Sequence, residues 1–252
     1  MGLLVMGGFL NRACAEWTEE SSRQIGILPG SGEVSEVEFR KGDQFAKITS
    51  ISFHEKHLRL FVVENSAASP QKLRELAPER RAVAGINASY FHASGEPLGL
   101  VVSGGRELHH QERARLLSGI LSVRDGRIEL VRASEYHAGR DVSEAIQAGP
   151  WLVEKGKPTS GLDDTKRARR SVVVKGPRGQ WALVSTSPLT LADTARILAS
   201  GNSVPGLAVK EALNLDGGSS TAMWAADTPG RDVVSIPEFG TVRNFLLLKP
   251  TP

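Results

Sequence analysis

The stretch Gly119–Val131, GILSVRDGRIELV, decides the fold class, because it has the pattern of two short strands joined by a tight turn. Apolar and polar residues alternate on both sides of Asp125-Gly126, and Asp-Gly between alternating runs is a strong signal for a two-residue hairpin. The same alternation recurs along most of the chain, as in Val34–Arg40 and Ser171–Lys175. The sequence therefore predicts a fold built mainly from antiparallel strands.

Two further strand candidates, Ala46–Phe53 and Leu58–Val63, are separated by a short polar stretch. We therefore expect them to be antiparallel neighbours joined by the turn His54–His57. Near the end of the chain, Val242–Leu248 contains consecutive apolar residues. This pattern predicts a strand that is buried on both faces.

Only two helices are indicated. Gln71–Leu76 is a short candidate, and Leu191–Ser200 is a better one, because Thr190 and Asp193 form a capping-box pattern at its start. No internal repeat or long linker interrupts the chain. The sequence therefore predicts an α+β fold, a single domain with a large mixed or antiparallel β-sheet and a few packed helices.

The composition is that of a turn-rich globular protein. Glycine accounts for 26 of 252 residues, 40% of the residues are hydrophobic and 23% are charged, which is enough apolar side chain for a core. Lys and Arg number 31 against 28 Asp and Glu, a net charge of +3, so no nucleic-acid partner is expected. No apolar run approaches the roughly 18 residues of a membrane-spanning helix, so stable membrane insertion is not expected either. Oligomeric state is not indicated.

The N-terminus resembles an export signal. Apolar residues from Leu3 to Leu10 precede Ala13-Cys14-Ala15, and small residues flanking one position are typical of a signal-peptidase site. An amphipathic first helix is the alternative, because no positive charge precedes the apolar residues.

We expect residues 1–15 to be a signal peptide, 16–31 a lead-in segment and 32–252 the functional domain, located in the periplasm or outside the cell. Cys14 is the single cysteine of the chain. Once the signal peptide is removed, the protein would therefore have no disulfide, no cysteine ligand and no catalytic thiol.

Three glycine-punctuated segments place polar residues at the end of an apolar strand. They are Val83–His92, Ala145–Pro150 and Ala212–Thr221. An ordinary Asp-Gly hairpin explains the third segment when it is taken alone. The three segments together favour a polar site.

The third segment carries the most chemistry. Residues two apart in a strand share a face, so Asn214 and Asp216 point to the same side. Gly217 and Gly218 allow the backbone to approach a ligand closely. Their N–H groups and the hydroxyls of Ser219–Thr221 could then line a concavity that binds an anion.

Common catalytic motifs are absent, namely a Walker loop, a GxSxG elbow and HExxH. The histidine pairs His54 with His57 and His109 with His110 lie in polar stretches and are more typical of solvated turns than of a metal site. We therefore expect no cofactor and no dedicated metal site. A divalent cation bound by Asp216 and backbone oxygens stays open as an alternative.

These segments resemble the phosphodiester glycosidase family. The resemblance extends from about Ala82 to Leu248, roughly two thirds of the chain, and the blocks follow the family order: Asn87–Phe91, Pro97–Leu100, Gln147–Pro150, Arg169–Ser171 and Leu213–Ser220. The family includes an enzyme that removes N-acetylglucosamine from a sugar phosphodiester, and many exported bacterial proteins. The resemblance implies an exported hydrolase that cleaves between such a sugar and a phosphodiester, so its partner would be a sugar phosphodiester or a phosphorylated glycan.

The resemblance also implies individual roles. Asp216 would lie beneath an oxocarbenium-like transition state or act as the base that activates water. Arg170 would bind the phosphate, because a planar guanidinium can hold two oxygens. The rest of the expected substrate-binding set is Asn87, Tyr90, Gln147, Asn214, Gly217, Gly218, Ser219, Ser220 and Arg243.

His92 stands where many relatives of the family carry an aspartate. An imidazole can still donate a proton, so we expect a catalytic role for His92, with Glu96 as the nearest alternative acid. Arg243 lies in the stretch Thr241–Asn244, which matches the final arginine block of the family only loosely.

A second class of function stays open on the same residues. The pocket could bind a phosphorylated glycan without cleaving it, as an accessory protein of exopolysaccharide assembly. Both hypotheses require Asn87, Arg170 and Asp216 to converge in one cleft.

Overall fold

The computed structural model describes residues 16–251 and contains three antiparallel β-sheets instead of one. Half of the residues lie in strands and 8% in helices, so the expected α+β class with one large sheet is corrected to a mostly β fold. The strands in chain order are β1 Thr18–Leu28, β2 Gly32–Lys41, β3 Gln44–His54, β4 Leu58–Glu64, β5 Ala84–Asn87, β6 Val101–Ser103, β7 Arg106–His109, β8 Gly119–Arg124, β9 Arg127–Arg132, β10 Val142–Ala148, β11 Trp151–Glu154, β12 Lys157–Pro158, β13 Ala168–Lys175, β14 Gln180–Leu189, β15 Glu211–Asn214, β16 Met223–Thr228, β17 Arg231–Ile236 and β18 Asn244–Pro250.

The three sheets share a hydrophobic core. The first sheet has eight strands in the order β1-β2-β3-β14-β13-β15-β11-β12, and the others have five each, β7-β6-β10-β8-β9 and β17-β16-β5-β18-β4. Ile51, Ile86 and Leu121 come from different sheets and are buried in one cluster of contacting side chains. The sheets therefore pack against one another around a common interior, as in a single domain.

The expected pairing of Ala46–Phe53 with Leu58–Val63 is wrong. Strand β3 pairs with β2 on one side and with β14 on the other, whereas β4 pairs with β18 in a five-stranded sheet. The turn between β3 and β4 is closed by a hydrogen bond from His57 N to His54 O of 2.9 Å. Since both edges of β3 are occupied, this turn carries the chain from one sheet to another.

The range 16–31 is not a lead-in, because it contains β1. Thr18–Leu28 pairs with β2 at the edge of the eight-stranded sheet. Most side chains of β1 are exposed, so no alternation of apolar and polar residues marks the strand in the sequence. The expected signal peptide, residues 1–15, lies outside the described residues.

The Asp125-Gly126 hairpin is confirmed. Arg124 pairs with Arg127 across the turn, and Asp125 and Gly126 have φ values of 48° and 76°. Two successive positive φ values are those of a type I′ turn, which matches the right-handed twist of the strands.

The two predicted helices are present as α1, Leu73–Glu79, and α2, Leu191–Ala199. The Thr190 hydroxyl accepts a hydrogen bond of 3.0 Å from Asp193 N, which confirms the predicted cap. Helix α2 packs against the eight-stranded sheet through Ala195 and Leu198. Within residues 16–251, neither helix has the length and hydropathy needed to cross a membrane.

Replacing Thr190 by alanine should lower the free energy of unfolding by about 1 kcal/mol, because the N–H of Asp193 loses its acceptor at the helix start. Urea denaturation followed by circular dichroism measures this loss. Thr190→Ser keeps the hydroxyl and should retain most of the stability. A serine variant as unstable as the alanine variant would contradict the capping role.

Candidate active site

Asp216 lies where the chain leaves the eight-stranded sheet, immediately after β15 and Leu215. Its N–H donates to Ala88 O at 3.0 Å, and its carbonyl accepts from Asn87 Nδ2 at 2.7 Å. Asn87 ends β5, which belongs to a five-stranded sheet. Asp216 is therefore fixed at a junction between two sheets and is not on an outer bend.

Asn87 is fully buried and joins three segments of the chain. Its Oδ1 accepts hydrogen bonds from Ser171 Oγ at 2.5 Å and from Ala222 N at 3.0 Å, while its Nδ2 donates to the carbonyl of Asp216. Because both ends of the amide are used in this way, Asn87 is a positioning residue behind Asp216. The contact with a sugar hydroxyl that we expect of Asn87 stays a prediction.

Tyr90 connects the five-stranded sheet that contains β10 to the junction at Asp216. Its hydroxyl lies 2.5 Å from the carbonyl of Gly149, which follows β10, and 3.1 Å from the carbonyl of Leu215. Asn214 Nδ2 donates to the hydroxyl at 2.8 Å. Tyr90 and Nδ2 of Asn214 therefore hold the ends of β10 and β15 together, while Oδ1 of Asn214 has no hydrogen-bond partner in residues 16–251. The substrate contacts expected of both residues stay predictions.

The Tyr90 hydroxyl also links the two charged residues of the site electrostatically. Burial and the negative charge of Asp216 raise the pKa of Tyr90, while the hydrogen bond from Asn214 and the positive charge of Arg170 lower it less. The net direction is upward, so the phenol stays protonated. Asp216 and Arg170 are thus both near enough to influence one hydroxyl group.

Asp216 is partly enclosed, and its burial raises the pKa of its carboxyl group. The Ser220 hydroxyl and the N–H of Gly217 oppose this shift by hydrogen bonding to the carboxylate, the latter at 2.8 Å. In the described part of the chain, no Lys or Arg forms an ion pair with this carboxylate. Asp216 therefore holds a proton more tightly than an ordinary aspartate does.

The turn after Asp216 requires its glycines. Gly218 has a φ of 65°, a conformation that side chains disfavour. A Cβ atom on Gly217 would lie 2.8 Å from the carbonyl oxygen of Arg169, so the turn packs directly against β13. Ser219 is exposed and Ser220 is buried, which leaves the Ser219 hydroxyl open to solvent at this turn.

Arg170 is a buried guanidinium. Its Nε donates to Leu189 O at 3.0 Å and its Nη2 to Lys166 O at 2.7 Å. Burial lowers its pKa, because desolvation disfavours the charged form. Between residues 16 and 251 it forms no ion pair and its Nη1 makes no hydrogen bond, so this cation has a donor available for an anion.

Gln147 is fully buried and saturated by backbone groups. Its Oε1 accepts from Leu100 N and Glu112 N, and its Nε2 donates to Glu112 O and Leu117 O. All of these contacts fix the segment 99–117. Gln147 therefore has a structural role in this segment, and its expected role in substrate binding stays a prediction.

The two residues expected as catalytic acids, His92 and Glu96, form no hydrogen bond to Asp216 within the described residues. His92 and Glu96 are exposed in a turn closed by a hydrogen bond from His92 N to Glu96 O of 2.8 Å. Within the described residues neither side chain hydrogen-bonds to Asp216 or shifts its pKa. The Arg243 guanidinium lies against Gly95 of this turn, and its Nε and Nη1 are enclosed without a partner in residues 16–251.

Sequence reasoning missed Ser171, whose hydroxyl is a principal partner of Asn87. Neighbouring strand residues face opposite sides, so placing Arg170 on one face of β13 already directs Ser171 to the other face. The buried pair Ser89 and Asn244 was also missed; Asn244 Oδ1 accepts from Ser89 N at 2.8 Å. Ser89 and Asn244 both lie in segments that resemble the family, but no sequence pattern indicates that they bond to each other.

The two histidine pairs form no metal site. Among residues 16–251, no three His, Cys, Asp or Glu side chains are close enough together to hold a metal ion. His54 and His57 contact each other edge to face, and His109 stacks on His110. His54 and His109 are the last residues of β3 and β7, and the absence of a dedicated metal site stays a prediction.

Comparison of sequences identifies the family. The model of the phosphodiester glycosidase family matches residues 80–248, the range that contains every block around Asp216. The chain belongs to the phosphodiester glycosidase family. No curated protein matches it in sequence, so family membership rests on this match.

Solved structures share the fold of this phosphodiester glycosidase family member. The zebrafish N-acetylglucosamine-1-phosphodiester alpha-N-acetylglucosaminidase catalytic domain, in a form auto-inhibited by its pro-peptide, has a TM-score of 0.62 at 15% identity over 95% of this chain and 85% of that chain. A hypothetical protein from Synechocystis has a TM-score of 0.56 at 16% identity over 86% and 62%. A Burkholderia pseudomallei protein for which export has been suggested has 0.57 at 13% identity over 88% and 76%. At these identities the likeness concerns the fold.

Asp216→Asn should gain stability over the wild type as the pH rises. Since the folded state raises the pKa of Asp216, the unfolded chain releases this proton first, near pH 4, and the free energy of unfolding of the wild type falls from there up to the folded pKa. The asparagine variant lacks this titration. Urea denaturation between pH 3 and pH 8 measures the difference.

The matched control is Asp164→Asn, which removes the same charge at an exposed position. The two variants should behave alike near pH 3 and diverge above pH 4. If Asp216→Asn instead lost stability over the same interval, the proposed burial cost of the carboxylate would be refuted.

Proposed function

We propose that the protein is a hydrolase that cleaves the bond between the anomeric carbon of an N-acetylglucosamine-like sugar and a phosphodiester. The observation that carries the proposal is the partly enclosed carboxyl group of Asp216, whose pKa burial raises and which bonds to the turn that follows it. Arg170, a buried cation without an ion-pair partner in residues 16–251, adds support. Membership of the phosphodiester glycosidase family supports the same reaction class.

Asp216 would act as the general base. Its carboxylate accepts a proton from water, the water oxygen forms a bond to the anomeric carbon, and the bond from that carbon to the phosphate oxygen breaks with its electron pair on the oxygen. A base is more effective when its pKa is closer to the working pH. The burial of Asp216 raises its pKa in that direction.

Arg170 would stabilise the departing phosphate monoester. This group leaves as an anion and needs less protonation than an alcohol, so a nearby positive charge contributes more than a second acid would. That argument explains why an acid at His92 or Glu96 is not essential to the reaction. The hydroxyl of Ser219 is a further donor that faces solvent at the same turn.

The protein would act outside the cytoplasm. The apolar N-terminal residues followed by Ala13-Cys14-Ala15 have the pattern of an export signal. A structural relative for which export has been suggested is consistent with this location. A glycosyl phosphodiester of the cell envelope or of extracellular polymer is then the substrate class.

The direct test is hydrolysis of a nitrophenyl phosphodiester of N-acetylglucosamine 1-phosphate by the purified protein. Asp216→Asn should lower kcat by at least about 100-fold, because the general base is lost. Asp164→Asn is the control and should leave kcat unchanged. Equal turnover by the wild type and Asp216→Asn would remove Asp216 from the mechanism.

The same assay separates hydrolysis from mere binding. If the wild type turns over no substrate across a panel of sugars but still binds them in calorimetric titrations, the protein is a glycan-binding accessory. Turnover that depends on Asp216 excludes that alternative.

Arg170→Lys should raise KM about tenfold, because a lysine keeps the charge but cannot hold two phosphate oxygens in a planar fork. Arg167→Lys is the matched control, since Arg167 is exposed and bonds to Gln44 and Pro188 instead. Steady-state kinetics on the nitrophenyl diester measures both variants. An unchanged KM in Arg170→Lys would place the phosphate elsewhere.

A further inference from the structure

Phe239 is the most exposed large apolar side chain of the described residues, with 77% of its surface open to solvent. It lies in the loop 237–243, between β17 and β18. The ring does not belong to any of the buried clusters that form the core. A single exposed apolar side chain is normal on a protein surface, so what distinguishes Phe239 is how it is held beside the Asp216 turn.

The loop that carries Phe239 is fixed to the turn that follows Asp216. Phe239 N donates to Ser219 O at 2.7 Å, and Gly240 N donates to the same oxygen at 3.2 Å. On its other side, buried Glu238 accepts a hydrogen bond of 2.9 Å from Leu73 N through Oε1. The aromatic ring is thus held in a defined place beside the candidate active site.

Arg169 supports the ring from below. Its guanidinium carbon lies 4.3 Å from the ring centroid of Phe239. The same group donates from Nε to Gly218 O at 3.2 Å and from Nη1 to Pro237 O at 3.1 Å. One face of the ring is therefore covered by a cation that is itself anchored to both loops, and the other face is free.

We propose that the free face of Phe239 binds the sugar ring on the alcohol side of the phosphodiester substrate. The C–H groups on one face of a pyranose form an apolar patch that an aromatic face can cover. The proposal rests on the proposed function, since it names a further part of the same substrate.

The order of groups from the interior to the rim decides which sugar stacks on Phe239. Asp216 is partly enclosed, so the reacting sugar lies inward, with its anomeric carbon at the carboxylate. Ser219 and Phe239 follow outward and are both exposed. In the substrate, the phosphate lies between the reacting sugar and the alcohol. The alcohol therefore lies at the exposed edge of the site, beside the Phe239 ring. Arg169 is a positioning residue, because it holds the ring and not the substrate.

The kinetic test compares two diesters of N-acetylglucosamine 1-phosphate, one with a hexose as the alcohol and one with methanol. Phe239→Ala should raise KM for the hexose diester about three- to tenfold and leave both kcat and the KM for the methyl diester unchanged.

Phe45→Ala is the matched control. Phe45 is 56% exposed and also has an arginine over its ring, Arg40 at 3.9 Å, but it lies at the start of β3 in another part of the fold. This variant should change neither KM. Equal KM effects of Phe239→Ala on both diesters, or no effect on either, would overturn the proposal.

A binding measurement decides the matter even when no hydrolysis occurs. The four native tryptophans are all buried, at 9% exposure or less: Trp17, Trp151, Trp181 and Trp224. A ligand at the surface should therefore leave their fluorescence unchanged, so that a fluorescence change in Phe239→Trp comes from position 239. The fluorescence of Phe239→Trp in the Asp216→Asn background should shift and saturate on titration with the hexose diester, but not with the methyl diester.

The two readouts separate the two proposals. If the wild type hydrolyses neither diester but the fluorescence change saturates with the hexose diester, the hydrolase is refuted and the Phe239 site is retained. Turnover without any such change would refute the Phe239 site and retain the hydrolase.

Discussion

The buried side chain of Asn87 holds the site together. Through one amide it connects the end of β5, Ser171 of β13 and the backbone of Asp216, so two sheets meet at a fixed geometry. If the Asn87 amide were removed, each polar group that bonds to it would stay buried and unpaired, which costs about 1–3 kcal/mol per group. These bonds hold the backbone of Asp216 in place beside β5 and β13.

Because the scaffold is rigid, some polar residues of the site position the backbone while others stay free to react. Asn87, Tyr90 and Gln147 form hydrogen bonds to backbone groups of neighbouring segments. Asn87 also bonds to the Ser171 side chain, and Tyr90 to the Asn214 side chain. Groups of the described residues that keep capacity include the carboxyl group of Asp216, whose pKa is raised, the guanidinium groups of Arg170 and Arg243, and Oδ1 of Asn214. Catalytic sites need reacting groups placed in advance of substrate binding, and a satisfied polar network supplies that placement.

Local features could be predicted from the sequence where a pattern has one physical cause. The Asp125-Gly126 hairpin and the Thr190 cap follow from turn and capping chemistry, and both are present. Features set by distant partners could not be predicted. Strand β1 is exposed and so shows no alternation, and β3 pairs with a strand more than 100 residues further along the chain. For the same reason, the amides of Asn87 and Gln147 belong to the expected polar cluster, yet their direction toward backbone partners depends on contacts that no local pattern encodes.

The hydrogen bond from Asn87 to the carbonyl of Asp216 spans 129 positions of the chain, and the bond from Ser171 to Asn87 spans 84. Contacts between segments this remote in sequence form slowly, because large loops must close before any gain is made. The Asp216 turn reaches its final geometry only once β5, β13 and β15 have assembled. A nascent or truncated chain that ends before β15 therefore cannot form this arrangement.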